Sequence, residues 1–215
     1  MPRSAMKNKK GYFVTLEGGE GSGKSTQLKL LEDYLDKGGY DVIYTREPGG
    51  TPISEEIRKI LLGGKNVEMS DETEALLFAA ARAQHIKEKI LPAIAEGKTV
   101  VCDRYVHSSL VYQGYARGLG EFVEKVNSYA LENCMPDVTI FLDITPERAF
   151  ARKGGADADD RLEQSGIDFH RRVYDGYVRM AEKFPDHFVR VNADRGIDEV
   201  FAEILDTLRQ KGVIR

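Results

Sequence analysis

The 215-residue chain has no tryptophan, only two cysteines and seven prolines, and no apolar run longer than Ala75 to Ala81. A membrane-spanning helix needs about 18 to 20 apolar residues, so no membrane partner is expected. Cys102 and Cys134 are too few for a disulfide framework, and neither sits in a CxxC or Cys/His pattern with metal-ligand spacing. A reducing, cytoplasmic setting without structural zinc follows as an expectation. A basic surplus is missing too: 31 Lys+Arg stand against 35 Asp+Glu, a net charge of -4, whereas a general nucleic-acid binder carries a large positive excess. Positive charge for a polyanionic ligand must therefore be concentrated locally. The 21 glycines show no collagen-like period, and 41% hydrophobic residues is too many for a disordered chain. His85, His107, His170 and His187 show no ligand spacing, and His170-Arg171-Arg172 reads as a solvated helix face.

Strand-like runs recur at Tyr12 to Leu16, Asp41 to Tyr44, Thr99 to Cys102, Val138 to Leu142 and Phe188 to Val191, with helix-period stretches between them. That alternation predicts a three-layer α/β fold, a five-stranded parallel sheet flanked by helices. Residues 1–10, with Arg3, Lys7, Lys9 and Lys10, read as a flexible basic arm. The apolar stretch behind them is too short for a secretory signal, and no small-residue cleavage site follows. Residues 11–215 read as one domain. Ser70 before Asp71 and Thr73, and Thr145-Pro146-Glu147, mark helix starts, while Gly38-Gly39 and Gly97 mark helix ends. Arg46 to Thr51 reads as a rigid turn. Lys153 to Asp160, small, glycine-rich and acidic, reads as a lid or a solvated loop. The last helix, roughly Ile197 to Lys211, has the periodicity of core packing at Val200, Phe201, Ile204, Leu205 and Leu208.

One motif carries chemistry directly. Gly18-Gly19-Glu20-Gly21-Ser22-Gly23-Lys24-Ser25 matches the Walker A pattern, follows the first strand and opens a helix with Leu28, Leu31 and Leu35 on one face. Glycines let successive backbone N–H groups turn toward phosphate oxygens, and the helix start adds its positive dipole end. Lys24 then neutralises β and γ oxygens, and the Ser25 hydroxyl is placed for Mg²⁺. Thr26 closes the set of ATP-binding candidates from Gly18 onward, the alternative for it being a cap or packing role. A switch GTPase would add Asn-Lys-x-Asp and an Asp-x-x-Gly after a strand; the only Asp-x-x-Gly here, Asp36 to Gly39, closes the first helix. The balance favours an ATP-using kinase.

Ligands of open parallel sheets sit outside the carboxyl ends of the strands, where Asp103 and Arg104 follow the third strand. Asp103 is a candidate organiser of Mg²⁺ through water and Arg104 a candidate phosphate ligand, the alternative being a surface ion pair. Phe78 and Arg82, four apart, share a helix face and make either a nucleobase clamp or core packing beside a solvated arginine. Ser109, Tyr112 and Gln113 form the polar side of a short helix, functional or not.

Six blocks then coincide with one family. Tyr12-Phe-Val-Thr-Leu-Glu-Gly18, Thr45-Arg-Glu-Pro-Gly-Gly-Thr51, Phe78-Ala-Ala-Ala-Arg-Ala-Gln84, Asp103-Arg-Tyr105 with Tyr112-Gln-Gly114, Phe141-Leu-Asp-Ile-Thr-Pro-Glu147 and Asp160-Arg-Leu-Glu163 resemble bacterial thymidylate kinases, in the family's order and over nearly the whole chain from Gly11. The resemblance implies the P-loop nucleoside monophosphate kinase fold, transfer from ATP to dTMP giving ADP and dTDP, and a homodimer. It also implies that Phe78 stacks on thymine, that Arg82, Ser109 and Gln113 reach the base, and that Glu47 and Pro48 wall the acceptor pocket. Arg58 and Arg104 would hold the dTMP phosphate, Tyr112 would crowd the 2′ position of the sugar, and Glu20 would lie near the acceptor.

Family members carry a basic residue inside the Walker loop or supply one from the lid. Gly21 implies the lid type, with Arg152 and Lys153 as the cations on ATP and Arg161 as the alternative. The lid, about residues 152–162, is more acidic here than such a lid should be. Rival readings are a P-loop phosphotransferase for dUMP, dCMP or a deoxynucleoside, and a module in which ATP binding gates a partner surface. Asn192 to Arg195 is a positional candidate for the adenine loop.

Overall fold

A computed structural model describes residues 11–153 and 165–215, apart from the side chain of Lys153. The basic arm and most of the expected lid, including Arg161, lie outside the described residues.

The β-rich runs form five strands: β1 (Phe13–Glu17), β2 (Val42–Arg46), β3 (Thr99–Asp103), β4 (Val138–Asp143) and β5 (Phe188–Asn192). They build one parallel sheet in the order β2-β3-β1-β4-β5. β1 is buried along its whole length, as expected of a central strand covered on both faces. Each observed strand extends one or two residues beyond its apolar run at the carboxyl end, because Glu17, Arg46, Asp103, Asp143 and Asn192 continue the ladder with polar side chains.

One face packs α1 (Lys24–Lys37) and the final helix α10 (Ile197–Gln210) on the sheet. Leu31, Leu35, Ile204 and Leu208 there meet Val14, Leu16, Ile140 and Val191, each apolar side chain contributing about 1.5–3 kcal/mol. Gly38 and Gly97 stand where the stop signals place them.

The other face is less regular. α2 (Pro52–Leu62) packs on α3 (Asp71–His85), whose N-cap Ser70 accepts the Thr73 N–H, a cap worth about 1 kcal/mol. The helix expected between the Ser70 start and the Gly97 end is interrupted: α3 passes through a π-helical turn, Ile86–Ile90, into α4 (Leu91–Ala95). Pro92 contributes no N–H to the ladder at that point. After β3, α5 (Val106–Ser109) runs into a second π-helical stretch, Leu110–Ala116. Two short helices, α6 (Glu121–Val126) and α7 (Ser128–Asn133), lead to β4. α8 (Pro146–Lys153) and α9 (Ile167–Lys183) follow it, and Phe169, Val173 and Tyr177 of α9 pack with Tyr112, Phe141 and Phe188. His170 corrects the expected solvated face: it is buried against Phe150 and Phe169, while Arg171 pairs with Glu147 and Asp168 outside. One helical turn thus splits the tripeptide between core and water.

The strand order reverses at β1, whose neighbours are β3 and β4, and this places a crevice beyond the carboxyl ends of β1 and β3. Two backbone bonds gather the third strand end there: Arg104 N–H donates to Leu16, and Glu47 N–H donates to the Asp103 carbonyl.

Candidate active site

The loop between β1 and α1 is built for an anion. Gly18, Gly21 and Gly23 take positive φ, and Gly23 in the left-handed region is the N-cap of α1. A Cβ at Gly21 would lie 2.6 Å from the Ala149 carbonyl, so the loop has no room for a basic side chain at that position. Lys24 folds back, donating to the carbonyls of Gly18 at 3.0 Å and Gly19 at 3.1 Å. Burial lowers its pKa to about 8, with repulsion from Arg104 adding to the effect. Ser22 is buried, and its hydroxyl has no partner among the described residues.

On one side of the loop, an open cavity of about 630 Å³ is lined by the loop from Glu20 to Thr26, by Arg152, and by Ala193, Arg195 and Gly196. Arg152 donates to the Ala193 carbonyl at 2.6 Å and pairs with Asp194 at 2.8 Å. The segment after β5, chosen by position alone, thus borders the triphosphate loop. Gln27 ties the two walls together, its amide donating to the Ile197 carbonyl at 3.0 Å.

On the other side, where the expected acceptor residues gather, a smaller cavity of about 210 Å³ is lined by Glu20, Lys24 and Ser25, by Glu47, Pro48 and Arg58, and by Phe78 and Arg82. Asp103, Arg104, Ser109, Tyr112 and Gln113 complete most of the wall. Every expected acceptor residue therefore faces one space, with Arg46, Leu62, Tyr105, Ser108 and His170 in addition. Five cationic side chains against three carboxylates make it locally positive within a chain of net charge -4.

Arg82 is neither solvated nor loosely packed. Only 2% exposed, it donates to Glu47 at 2.7 Å, to Ser109 at 3.0 Å, to Asn127 and to the Tyr105 carbonyl at 3.2 Å, with its guanidinium over the Tyr105 ring. Glu47 is shared with His85 at 3.0 Å, and His85 in turn meets Thr45 at 2.8 Å. Arg58 donates to the Pro48 carbonyl at 2.8 Å.

Arg104 is the only non-glycine residue with positive φ, 64°, among the described residues. Its Nη1 lies 2.9 Å from the Gly18 carbonyl and 3.2 Å from the Tyr177 hydroxyl, and its guanidinium covers the Tyr112 ring at 5.2 Å. Under it lies Glu17, fully buried, which accepts from the Tyr105 N–H, the Ser108 hydroxyl and the Tyr177 hydroxyl. Burial raises the Glu17 pKa, and those hydrogen bonds with the Arg104 charge partly offset the rise. Glu17, Tyr177 and Asn127 escaped the sequence reading. For Glu17 a signal existed, a carboxylate ending an apolar strand just before the phosphate loop. Tyr177, 160 residues away, offered none.

Asp103 Oδ1 is buried and unpartnered among the described residues, on the same cavity wall as Ser25. The described residues hold no cluster of three or more His, Cys, Asp or Glu suited to a metal. One carboxylate and one hydroxyl beside a phosphate site fit Mg²⁺, which takes few protein ligands and completes its shell with phosphate oxygens and water.

A parallel sheet with a glycine loop between β1 and α1, an open cleft on one side of that loop and a cationic cavity on the other defines a P-loop phosphotransferase. The family model described as thymidylate kinase matches residues 16–204. Similar proteins named thymidylate kinase include one from Clostridium novyi, 47% identical over 93% of this chain and 99% of its own length. Another, from Thermoanaerobacter sp. (strain X514), is 50% identical over 94% and 98%, and a third, from Bacillus cytotoxicus, 50% over 94% and 99%. The chain belongs to the thymidylate kinase family.

Proposed function

We propose that this protein transfers the γ-phosphoryl group of ATP to dTMP, giving ADP and dTDP. The observation that carries this reading is the acceptor cavity, which brings an aromatic ring, Phe78, and hydrogen-bonding side chains together with Lys24 and Arg104 around one space. Family membership supports the choice of acceptor. Residues 11–215 act as one kinase domain, in a cytoplasmic setting.

ATP lies with its triphosphate along Gly18 to Ser25, Arg152 flanking it and the base toward Ala193 to Gly196. The thymine of dTMP stacks on Phe78 within reach of Arg82, Ser109 and Gln113. Glu47 and Pro48 wall that pocket, Tyr112 lies against the sugar, and Arg58 with Arg104 holds the phosphate. Phosphoryl transfer needs in-line alignment and compensation of charge more than covalent help. Lys24 releases its loop carbonyls to take the β and γ oxygens, and Arg104 keeps the acceptor oxygen, already anionic, pointed at the γ-phosphorus. No side chain has to remove a proton. Ser25 and Asp103 would hold Mg²⁺, which when bound would supply neutralisation of the triphosphate charge.

Homodimer formation is part of the proposal. Ile53 and Ile60 on α2 and Leu76 on α3, all about half exposed, lie on two mutually packed helices and supply the apolar surface that pairing would cover.

ADP release with Mg-ATP and dTMP, dUMP, dCMP, AMP, GMP or thymidine, against a control without acceptor, tests the function. Strong preference for dTMP is expected. Preference for another acceptor would retain the phosphotransferase and overturn the base assignment. ATP binding without transfer to any acceptor would turn the site into a nucleotide-gated module.

A further inference from the structure

Gln113 lines the acceptor cavity from the π-helical stretch, yet it is almost inaccessible to solvent and its amide is committed on one side. Its Nε2 donates to Glu74 Oε1 at 2.7 Å. Glu74, on α3, has no solvent exposure, and its carboxylate also accepts from Arg117 Nε at 3.2 Å and Nη2 at 3.1 Å. Arg117 is held in turn by Asp71 at 3.2 Å and by the Phe169 ring, 5.1 Å from its guanidinium.

An ionised carboxylate can only accept. Beside Glu74, the Gln113 side chain must therefore present its NH₂ to the carboxylate and its carbonyl oxygen elsewhere, and Oε1 has no hydrogen-bond partner among the described residues. Two N–H groups of Arg117 and one of Gln113 converge on the Glu74 carboxylate, which accepts from all three. We infer that Glu74, backed by Arg117, is a positioning residue for base selection: it fixes Gln113 as an acceptor and so favours bases bearing a ring N–H over bases bearing a ring acceptor.

The inference rests on the proposed function. Thymine and uracil carry N–H at the ring position where cytosine carries a lone pair, so an acceptor fixed there opposes dCMP. A neutral amide at position 74 can pair with Gln113 in either orientation. The oxygen would then no longer be held toward the ligand.

The test compares wild-type protein with Glu74→Gln in steady-state transfer from Mg-ATP to dTMP, dUMP and dCMP. The expected result is a fall of roughly tenfold or more in the ratio of kcat/KM for dTMP to that for dCMP. The change should lie in KM for the nucleotide, with kcat for dTMP within about threefold of wild type, whereas general loosening would lower both acceptors together. The double variant Glu74→Gln/Arg117→Met removes both partners of the pair and should reproduce the shift. An unchanged ratio in a folded variant overturns the inference. In ligand-free wild-type protein, the Gln113 side-chain NH₂ should be strongly protected from hydrogen exchange; exchange at the bulk rate would overturn it even if neither variant folds. Wild-type protein that prefers no thymine or uracil nucleotide would sink the functional reading instead, which the first comparison reports separately.

Discussion

The Tyr177 hydroxyl lies 2.8 Å from the Glu17 carboxylate, joining two residues 160 positions apart in the chain. The same hydroxyl meets Arg104 at 3.2 Å and Ser108 at 2.9 Å. A helix that follows the expected lid is therefore bonded to the floor of the phosphate loop and to an arginine of the acceptor cavity.

Tyr177→Phe should retain the ring packing on Phe141 and lose only these polar contacts. A stability loss of about 1–2 kcal/mol is expected, since Glu17 keeps its other donors. Urea denaturation would read it as a lower midpoint at unchanged slope. Arg104 would lose one anchor, and kcat/KM for dTMP should fall more than kcat/KM for ATP. Equal effects on the two would place Tyr177 in general packing alone.

Arg82→Ala should damage the fold as well as the site. The substitution leaves the Glu47 carboxylate buried beside His85 without its main cation, and breaking such a pair costs about 3–5 kcal/mol. Thermal unfolding should fall sharply, with weaker dTMP use in whatever remains folded. An unchanged midpoint would contradict the buried network.

Most of the sheet and phosphate loop was legible in the sequence because both follow from local chemistry. Period, burial and glycine spacing are written within a few residues of where they act. The acceptor residues were legible as separate candidates, and only the fold gathered Phe78, Arg104 and Gln113 onto one cavity. What stayed hidden depends on distant partners. Arg82 looked either solvated or functional, and its burial depends on Glu47, Tyr105, Ser109 and Asn127, which lie 23 to 45 positions away. Glu74 carries no local signal of its role, because its partners Gln113 and Arg117 lie 39 and 43 positions away. The two π-helical stretches carry no periodicity distinct from the α-helices that they interrupt.

Lys24 sets a pH dependence of nucleotide binding. In the free protein it titrates near pH 8 rather than 10.5, and triphosphate oxygens favour its charged form. Binding ATP above about pH 8 should therefore draw a proton from solvent, and affinity should weaken as pH rises through that value. Calorimetry in buffers of different ionisation heat should give uptake near half a proton at pH 8 and almost none near pH 6.5. Lys24→Arg should abolish the uptake; its persistence there would assign it to another group. For folding the sign is opposite. Between about pH 8 and 10.5 the unfolded chain holds more of this proton than the folded one, so this group's contribution to stability rises with pH.

His107 governs part of the acid response. It is fully buried, with ring contacts to Phe184 and Phe188, and burial, followed by repulsion from His187 and Arg82, lowers its pKa from 6.5 to about 3. Below pH 6.5 the unfolded chain takes up a proton that the fold refuses. Stability should fall toward pH 3 with a slope from this residue approaching about 1.4 kcal/mol per pH unit. His107→Phe should flatten that decline in urea titrations at about pH 7, 5.5 and 4.5. Parallel curves for both proteins would show that the slope comes from other groups.

The left-handed backbone of Arg104 and the charge it carries pull stability in opposite directions. Glycine there would relax the chain by about 1–2 kcal/mol, but it would leave the buried Glu17 carboxylate without that charge, a loss of about 3–5 kcal/mol. Selection for heat resistance and selection for turnover therefore act in the same direction at this codon. A thermostabilised descendant of this protein should keep arginine at 104 whether or not activity was scored.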